Sequence, residues 1–225
     1  MQASELFNQP NTILLDGGMG TMLQAAGMKL GTRPEDLNIE NPELIRSIHA
    51  KYAAAGSRVV NANTFGASPH KLADSKYTLE EVITAGIANC KQAVAPYGAL
   101  VTLDVGPLGE LLEPSGTLAF EDAVAEYGRI VRAGVAAGAD ILYFETFTDL
   151  YEMKAALLAA KENSTLPIMA SMSFEANGRT FTGCTVESFA ATARGLGANA
   201  VGINCSLGPK EIFPMAKRLA EAVPG

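Results

Sequence analysis

The sequence contains no apolar stretch of about 18 residues free of charges and turns, which argues against a membrane span. It has no basic run and no interleaving of basic with aromatic residues. Lys and Arg number 17 against 24 Asp and Glu, for a net charge of −7, so neither nucleic acid nor an anionic membrane is expected as a partner. The start, Met1-Gln2-Ala3-Ser4-Glu5, has no positive region leading into an apolar one, and no signal peptide is expected. Cysteines are only three, an odd and widely spaced set that makes no disulfide framework and suits a reducing cytoplasm. The two histidines, His49 and His70, lack a metal-ligand companion at i+3 or i+4, so both are expected to be structural or surface groups. No lysine stands at a strand tip to form a Schiff base, which removes the support for a barrel aldolase or lyase.

What is present is a repeating alternation. Hydrophobic residues make up 48% and charged ones 18% of 225 residues, enough for a sizeable core in one domain. Six short apolar runs each lead into polar residues or glycine: Ile13–Leu15, Arg58–Val60, Leu100–Leu103, Ile141–Phe144, Pro167–Met172 and Ala200–Ile203. They read as buried parallel strands. Between them lie helical segments: Pro42–Ala55, a capping-box start at Thr78 for a helix towards Val94, Phe120–Ala136 ended by Gly138, Asp149–Glu162, Thr185–Arg194, and Pro209–Ala222. Alternating strands and helices predict a parallel sheet with right-handed crossovers. Six βα units would satisfy a doubly wound open sheet and fall short of a (β/α)₈ barrel. Polar residues end every strand rather than those beside a single switch point, which favours the barrel.

The chemistry-bearing residues sit at those strand ends. Asp16-Gly17-Gly18-Met19-Gly20-Thr21 is either a tight glycine turn with a capping aspartate or a nest whose backbone N–H groups hold a carboxylate. Its spacing is not that of a dinucleotide-binding loop. Glu145 follows four apolar residues, where an acid needs a partner: a salt bridge at the rim, or a substrate ammonium shared with Asp16. Two carboxylates for a cation beside a nest for an anion describe an α-amino acid site. Asn63 and Asn204 end two further strands and either satisfy loop backbone or contact substrate. Cys205 closes the sixth strand, where a thiol is either a packed core residue or one ligand of a metal site. Cys90 reads as helix core, and Cys184 lies in a loop with nothing to pair it to Cys205.

Taken in order, Leu15-Asp16-Gly17-Gly18-Met19-Gly20-Thr21-Met22, Asn63-Thr64-Phe65-Gly66-Ala67, Val105-Gly106-Pro107-Leu108-Gly109-Glu110, Phe144-Glu145-Thr146-Phe147 and Gly202-Ile203-Asn204-Cys205-Ser206-Leu207-Gly208-Pro209 resemble the zinc-dependent homocysteine S-methyltransferase family. Within it they are most similar to the homocysteine-binding domain of cobalamin-dependent methionine synthases. The resemblance implies a (β/α)₈ TIM barrel with about six of the eight units in residues 1–225. It implies zinc as cofactor, with Cys205 matching the first of three thiolate ligands. The other two, in a Gly-Gly-Cys-Cys motif of the eighth strand, have no counterpart in this sequence. It also implies that Asp16 and Glu145 hold the homocysteine ammonium and that the backbone at Gly17 and Gly18 holds its carboxylate. Zinc would bind the substrate thiol, of ordinary pKa about 8.5, as the thiolate that takes up a methyl group. No side-chain nucleophile is expected.

The expected function is therefore methyl transfer to homocysteine giving methionine. Methylcobalamin is the expected donor, and betaine or S-methylmethionine are the alternatives. Cobalamin and methyltetrahydrofolate domains of a longer enzyme are the expected partners. The domain is expected to be incomplete at its C-terminus and inactive by itself, and a non-catalytic amino-acid-binding fragment is the competing reading.

Overall fold

A computed structural model describes residues 3–9, 11–29 and 31–223. Five parallel strands form one sheet in sequential order: β1 (Val59–Asn61), β2 (Leu100–Val105), β3 (Ile141–Phe147), β4 (Ile168–Met172) and β5 (Ala200–Ile203). The register runs Val59 to Leu100, Thr102 to Ile141, Leu142 to Ile168 and Met169 to Ala200. Neighbouring strands that are also consecutive in sequence, each crossing over through a helix, make a sheet that winds in one direction. There is no reversal of strand order, so the doubly wound alternative is set aside. The result is an α/β half-barrel.

The expected first strand is the main departure. Ile13–Leu15 does not form a strand; Leu15 makes a single bridge to Val59, supported by hydrogen bonds from Arg58 N to Leu14 O at 2.8 Å and from Asp16 N to Val59 O at 3.1 Å. Its one strand neighbour is β1, and Leu14 is 57% exposed, so half the burial that would fix a central strand is missing.

Among the described residues, seven helices of seven or more residues carry the crossovers and flanks: α1 (Met19–Ala25), α2 (Pro42–Ala54), α3 (Leu79–Val94), α4 (Phe120–Ala136), α5 (Leu150–Asn163), α6 (Val186–Gly195) and α7 (Pro209–Ala222). Their starts follow from side-chain caps. Thr78 accepts from Glu81 N while Glu81 returns a carboxylate oxygen to Thr78 N, closing the capping box of α3. Asp149 and Thr185 cap α5 and α6. Gly138 ends the α4 segment at φ 87°, a conformation that favours glycine. None of the helices among the described residues is long and apolar enough to cross a membrane.

Alternation along the strands sorts side chains into two layers. Val60, Val101, Leu103, Leu142, Phe144, Ala170 and Met172 face the helices in the main core. Val59, Leu100, Ile141, Tyr143 and Met169 face the concave interior and pack with Leu6. Two residues further along each of β1 to β4 the interior becomes polar, reaching Asn61, Thr102, Asp104, Glu145 and Ser171. The concave face is thus greasy below and polar at the C-terminal rim, where barrel enzymes build their sites.

Candidate active site

A cavity of about 580 Å³ opens at this rim. Asp16, Gly17, Gly18, Asn63, Glu145, Asn204 and Cys205 all line it, so the structure brings the whole sequence-predicted set to one place.

The glycine turn is held from below by α2. Tyr52 donates its hydroxyl to Gly18 O at 3.2 Å, and a Cβ on Gly17 would meet the Tyr52 ring and hydroxyl at 3.0 Å. Glycine serves there for close approach rather than for its torsions, since a larger residue would make the Tyr52 ring shift. The following α1 begins inside this motif even though Gly20 and Thr21 are poor helix formers. Asp16 accepts from Asn61 N at 3.0 Å through one oxygen, while the other is buried without a partner. Burial, with Glu145 adding repulsion, pushes its pKa up to about 7 despite that backbone bond.

Glu145 and Cys205 are joined through Asn204. The Asn204 amide donates to Glu145 Oε2 at 2.7 Å and to Thr146 Oγ1 at 2.8 Å. Its carbonyl oxygen accepts from Thr146 N at 3.2 Å and Ser171 Oγ at 3.0 Å, and Ser171 pairs with the Tyr143 hydroxyl. This single side chain ties β3, β4 and β5 together at the rim. On either side of it two non-glycine residues adopt left-handed backbone: Thr146 at φ 64° and Cys205 at φ 48°. Such conformations cost energy and persist where surrounding bonds over-determine them. Cys205 ends exposed at the cavity, and burial raises the Glu145 pKa while the Asn204 bond works against it.

Asn63 is nearly buried, and its amide nitrogen donates inward, to Pro34 O at 2.7 Å and to Asn38 Oδ1 at 2.9 Å. Both its amide hydrogens thus hold the segment 34–38, of which Pro34 and Glu35 line the cavity. The same wall holds Glu35, which accepts from Gly66 N at 2.7 Å, and Phe65, whose ring abuts Gly106 and lies 5.4 Å from Lys71 Nζ.

Sequence reasoning missed Asp104. The apolar run ends at Leu103 in the sequence, which leaves Asp104 outside the expected strand, yet it belongs to β2, two residues past inward-facing Thr102. That period-two placement was the available signal. Asp104 is 7% exposed, one carboxylate oxygen is buried with no partner, and burial together with Glu145, Asp16, Glu35 and Cys205 drives its pKa well above the usual range.

The other two cysteines and both histidines lie outside this lining. Cys90 is buried in the core with Sγ 3.8 Å from Val60 O, and Cys184 is half-buried beside Thr185 O. His49 is fully buried, and burial lowers its pKa to about 4; His70 pairs with Glu110 at 3.3 Å. Among the described residues, no three His, Cys, Asp or Glu side chains are grouped so as to hold a metal ion.

Residues 13–224 match the sequence profile of the homocysteine S-methyltransferase family. The chain belongs to the homocysteine S-methyltransferase family. A curated relative, methionine synthase of Mycobacterium tuberculosis, is 28% identical over 223 residues, covering 91% of this chain. The chain spans only 19% of the length of that relative. In fold, this family member superimposes on the metallated form of the homocysteine methyltransferase MmuM from Escherichia coli with a TM-score of 0.87, at 23% identity, covering 99% of this chain and 84% of the other. The carboxyl transferase domain of Rhizobium etli pyruvate carboxylase is a more distant fold relative, with a TM-score of 0.58 at 15% identity, covering 98% of this chain and 36% of the other.

Proposed function

We propose that this chain binds homocysteine and presents its thiol for methylation to methionine. The observation that carries the reading is that Asp16, Glu145, the Gly17-Gly18 backbone and Cys205 line one cavity. Asp16 and Glu145 hold the α-ammonium, and the glycine backbone holds the α-carboxylate. The sulfur then lies towards Cys205. Asn204 fixes Glu145 in place, and Asn63 shapes the facing wall. In the transfer, a sulfur–carbon bond forms as the methyl–donor bond breaks, and the thiol proton is lost to solvent.

Cys205 is proposed as one zinc ligand. The described residues do not by themselves fit a catalytic zinc, which takes three protein ligands. We assign the remaining ligands, and the remaining units of an eight-unit barrel, to segments outside the described residues. The proposed donor is methylcobalamin. Domains carrying cobalamin and methyltetrahydrofolate are the proposed partners, a reading supported by the length of the methionine synthase relative.

The test measures methionine formed from L-homocysteine with methylcobalamin, betaine or S-methylmethionine, in a polypeptide extending this chain through two further βα units. One donor should support transfer, and Cys205→Ala should lose zinc. Glu145→Gln should keep its zinc and weaken homocysteine binding by about 1.5–3 kcal/mol, the worth of a charge-assisted hydrogen bond. Unchanged homocysteine affinity in Glu145→Gln would refute the ammonium site. Binding without transfer from any donor would favour a non-catalytic amino-acid-binding role.

A further inference from the structure

The cavity is lined by more acidic side chains than two ammonium anchors account for. The buried acids outside the predicted pair differ in how they are satisfied. Glu35 accepts from Gly66 N at 2.7 Å, and Glu152 accepts from Leu108 N at 2.7 Å and the Tyr127 hydroxyl at 2.9 Å. Both therefore serve loop structure. Asp104 is different. Its backbone is pinned by Thr64, whose hydroxyl donates to Asp104 O at 2.8 Å and accepts from Asp104 N at 3.1 Å. Its carboxylate, by contrast, lines the cavity with one oxygen buried and unpartnered. The groups that act on it, Glu145, Asp16, Glu35 and Cys205, are all acids, and none of them supplies a cation.

A carboxylate held rigidly, desolvated and without a cation destabilises the empty protein. It has a use if the cation arrives with the ligand. An ammonium group has three N–H donors. Asp16 offers one buried oxygen with no partner, and Glu145 offers the oxygen that Asn204 does not occupy. That leaves one donor without an acceptor.

We propose that Asp104 is a third anchor for the substrate ammonium, completing with Asp16 and Glu145 a set of three acceptors for its three N–H donors. Asp104 thereby selects α-amino acids over thiols that carry only a carboxylate. This rests on the homocysteine reading above.

The test compares wild type with Asp104→Asn in two measurements. Calorimetric titration uses L-homocysteine and 4-mercaptobutyrate, which keeps the thiol and carboxylate but lacks the amino group. Thermal denaturation is recorded without ligand. Asp104→Asn should bind L-homocysteine about tenfold to a hundredfold more weakly, the worth of one hydrogen bond to a charged group. It should bind 4-mercaptobutyrate no worse than wild type, and should melt at a higher temperature at neutral pH because folding no longer has to protonate and desolvate a buried carboxyl group. Asp104→Ser serves as a second, smaller replacement. Unchanged homocysteine affinity in both variants, with wild type binding normally, overturns this proposal alone. A lowered melting temperature with weaker binding of both compounds also overturns it, since that is the signature of a purely structural residue. Wild type that binds neither compound overturns the homocysteine reading and this proposal with it.

Discussion

Replacing Asp16 with asparagine should stabilise the ligand-free protein at neutral and alkaline pH. The folded protein holds the Asp16 pKa at about 7 against an ordinary 3.8. Below pH 4 the group is protonated in both folded and unfolded chains and its contribution is fully present. Between the two values the folded state keeps a proton that the unfolded state has released. Stability therefore falls as pH rises through about 7. Three units at about 1.36 kcal/mol each set a ceiling of about 4 kcal/mol, and water reaching Asp16 through the cavity mouth brings this towards about 2 kcal/mol. Asparagine keeps an oxygen for Asn61 N and never ionises. Urea unfolding at pH 5, 6, 7 and 8 measures the difference directly. Wild type should lose stability across this series, and the variant should lose less, ending about 2–4 kcal/mol the more stable at pH 8. Parallel pH profiles, or a wild type that gains stability relative to the variant as pH rises, would refute the reasoning. Either result would mean that Asp16 is already ionised and solvated in the empty cavity.

Two further outcomes follow from local geometry. Asn204→Ala removes the bonds to Glu145, to Thr146 through both its N–H and its hydroxyl, and to Ser171, so unfolding should cost about 2–3 kcal/mol less, with a changed rate of Cys205 alkylation by iodoacetamide; an unaltered alkylation rate would separate Cys205 from this network. Gly134→Ala places a Cβ 2.5 Å from Leu103 at the α4–β2 contact, and thermal or urea unfolding should show a loss of about 1–3 kcal/mol from overpacking.

Much of the frame was readable because local and tertiary signals agree. Phe120–Ala136 and Pro209–Ala222 occur with the expected bounds, and the Thr78 capping box closes as its spacing requires. Ile13–Leu15 read as a strand because it is apolar, but an apolar run becomes a central strand only with neighbours on both sides. The site residues announced themselves by position at strand ends. Their bonding did not: Asn204 reaches Glu145 across 59 residues of sequence, and Asn63 turns its amide towards Pro34, 29 residues back. Asp104 was hidden because Asp-Val-Gly-Pro looks like a turn, whereas the strand runs on through Val105.

The two-sided strands also set how this protein can change. On β2, Leu103 packs towards the helices and Asp104 towards the cavity. Exchanging one side chain alters one property at a time, either the oil or the charge. Gaining or losing a single codon inside the strand would invert every position beyond it, driving the acid among the helices and the leucine into the cavity. Such length changes would abolish packing and ligand recognition in one event. Drift in these segments is therefore confined to substitution, while growth and trimming are left to the loops.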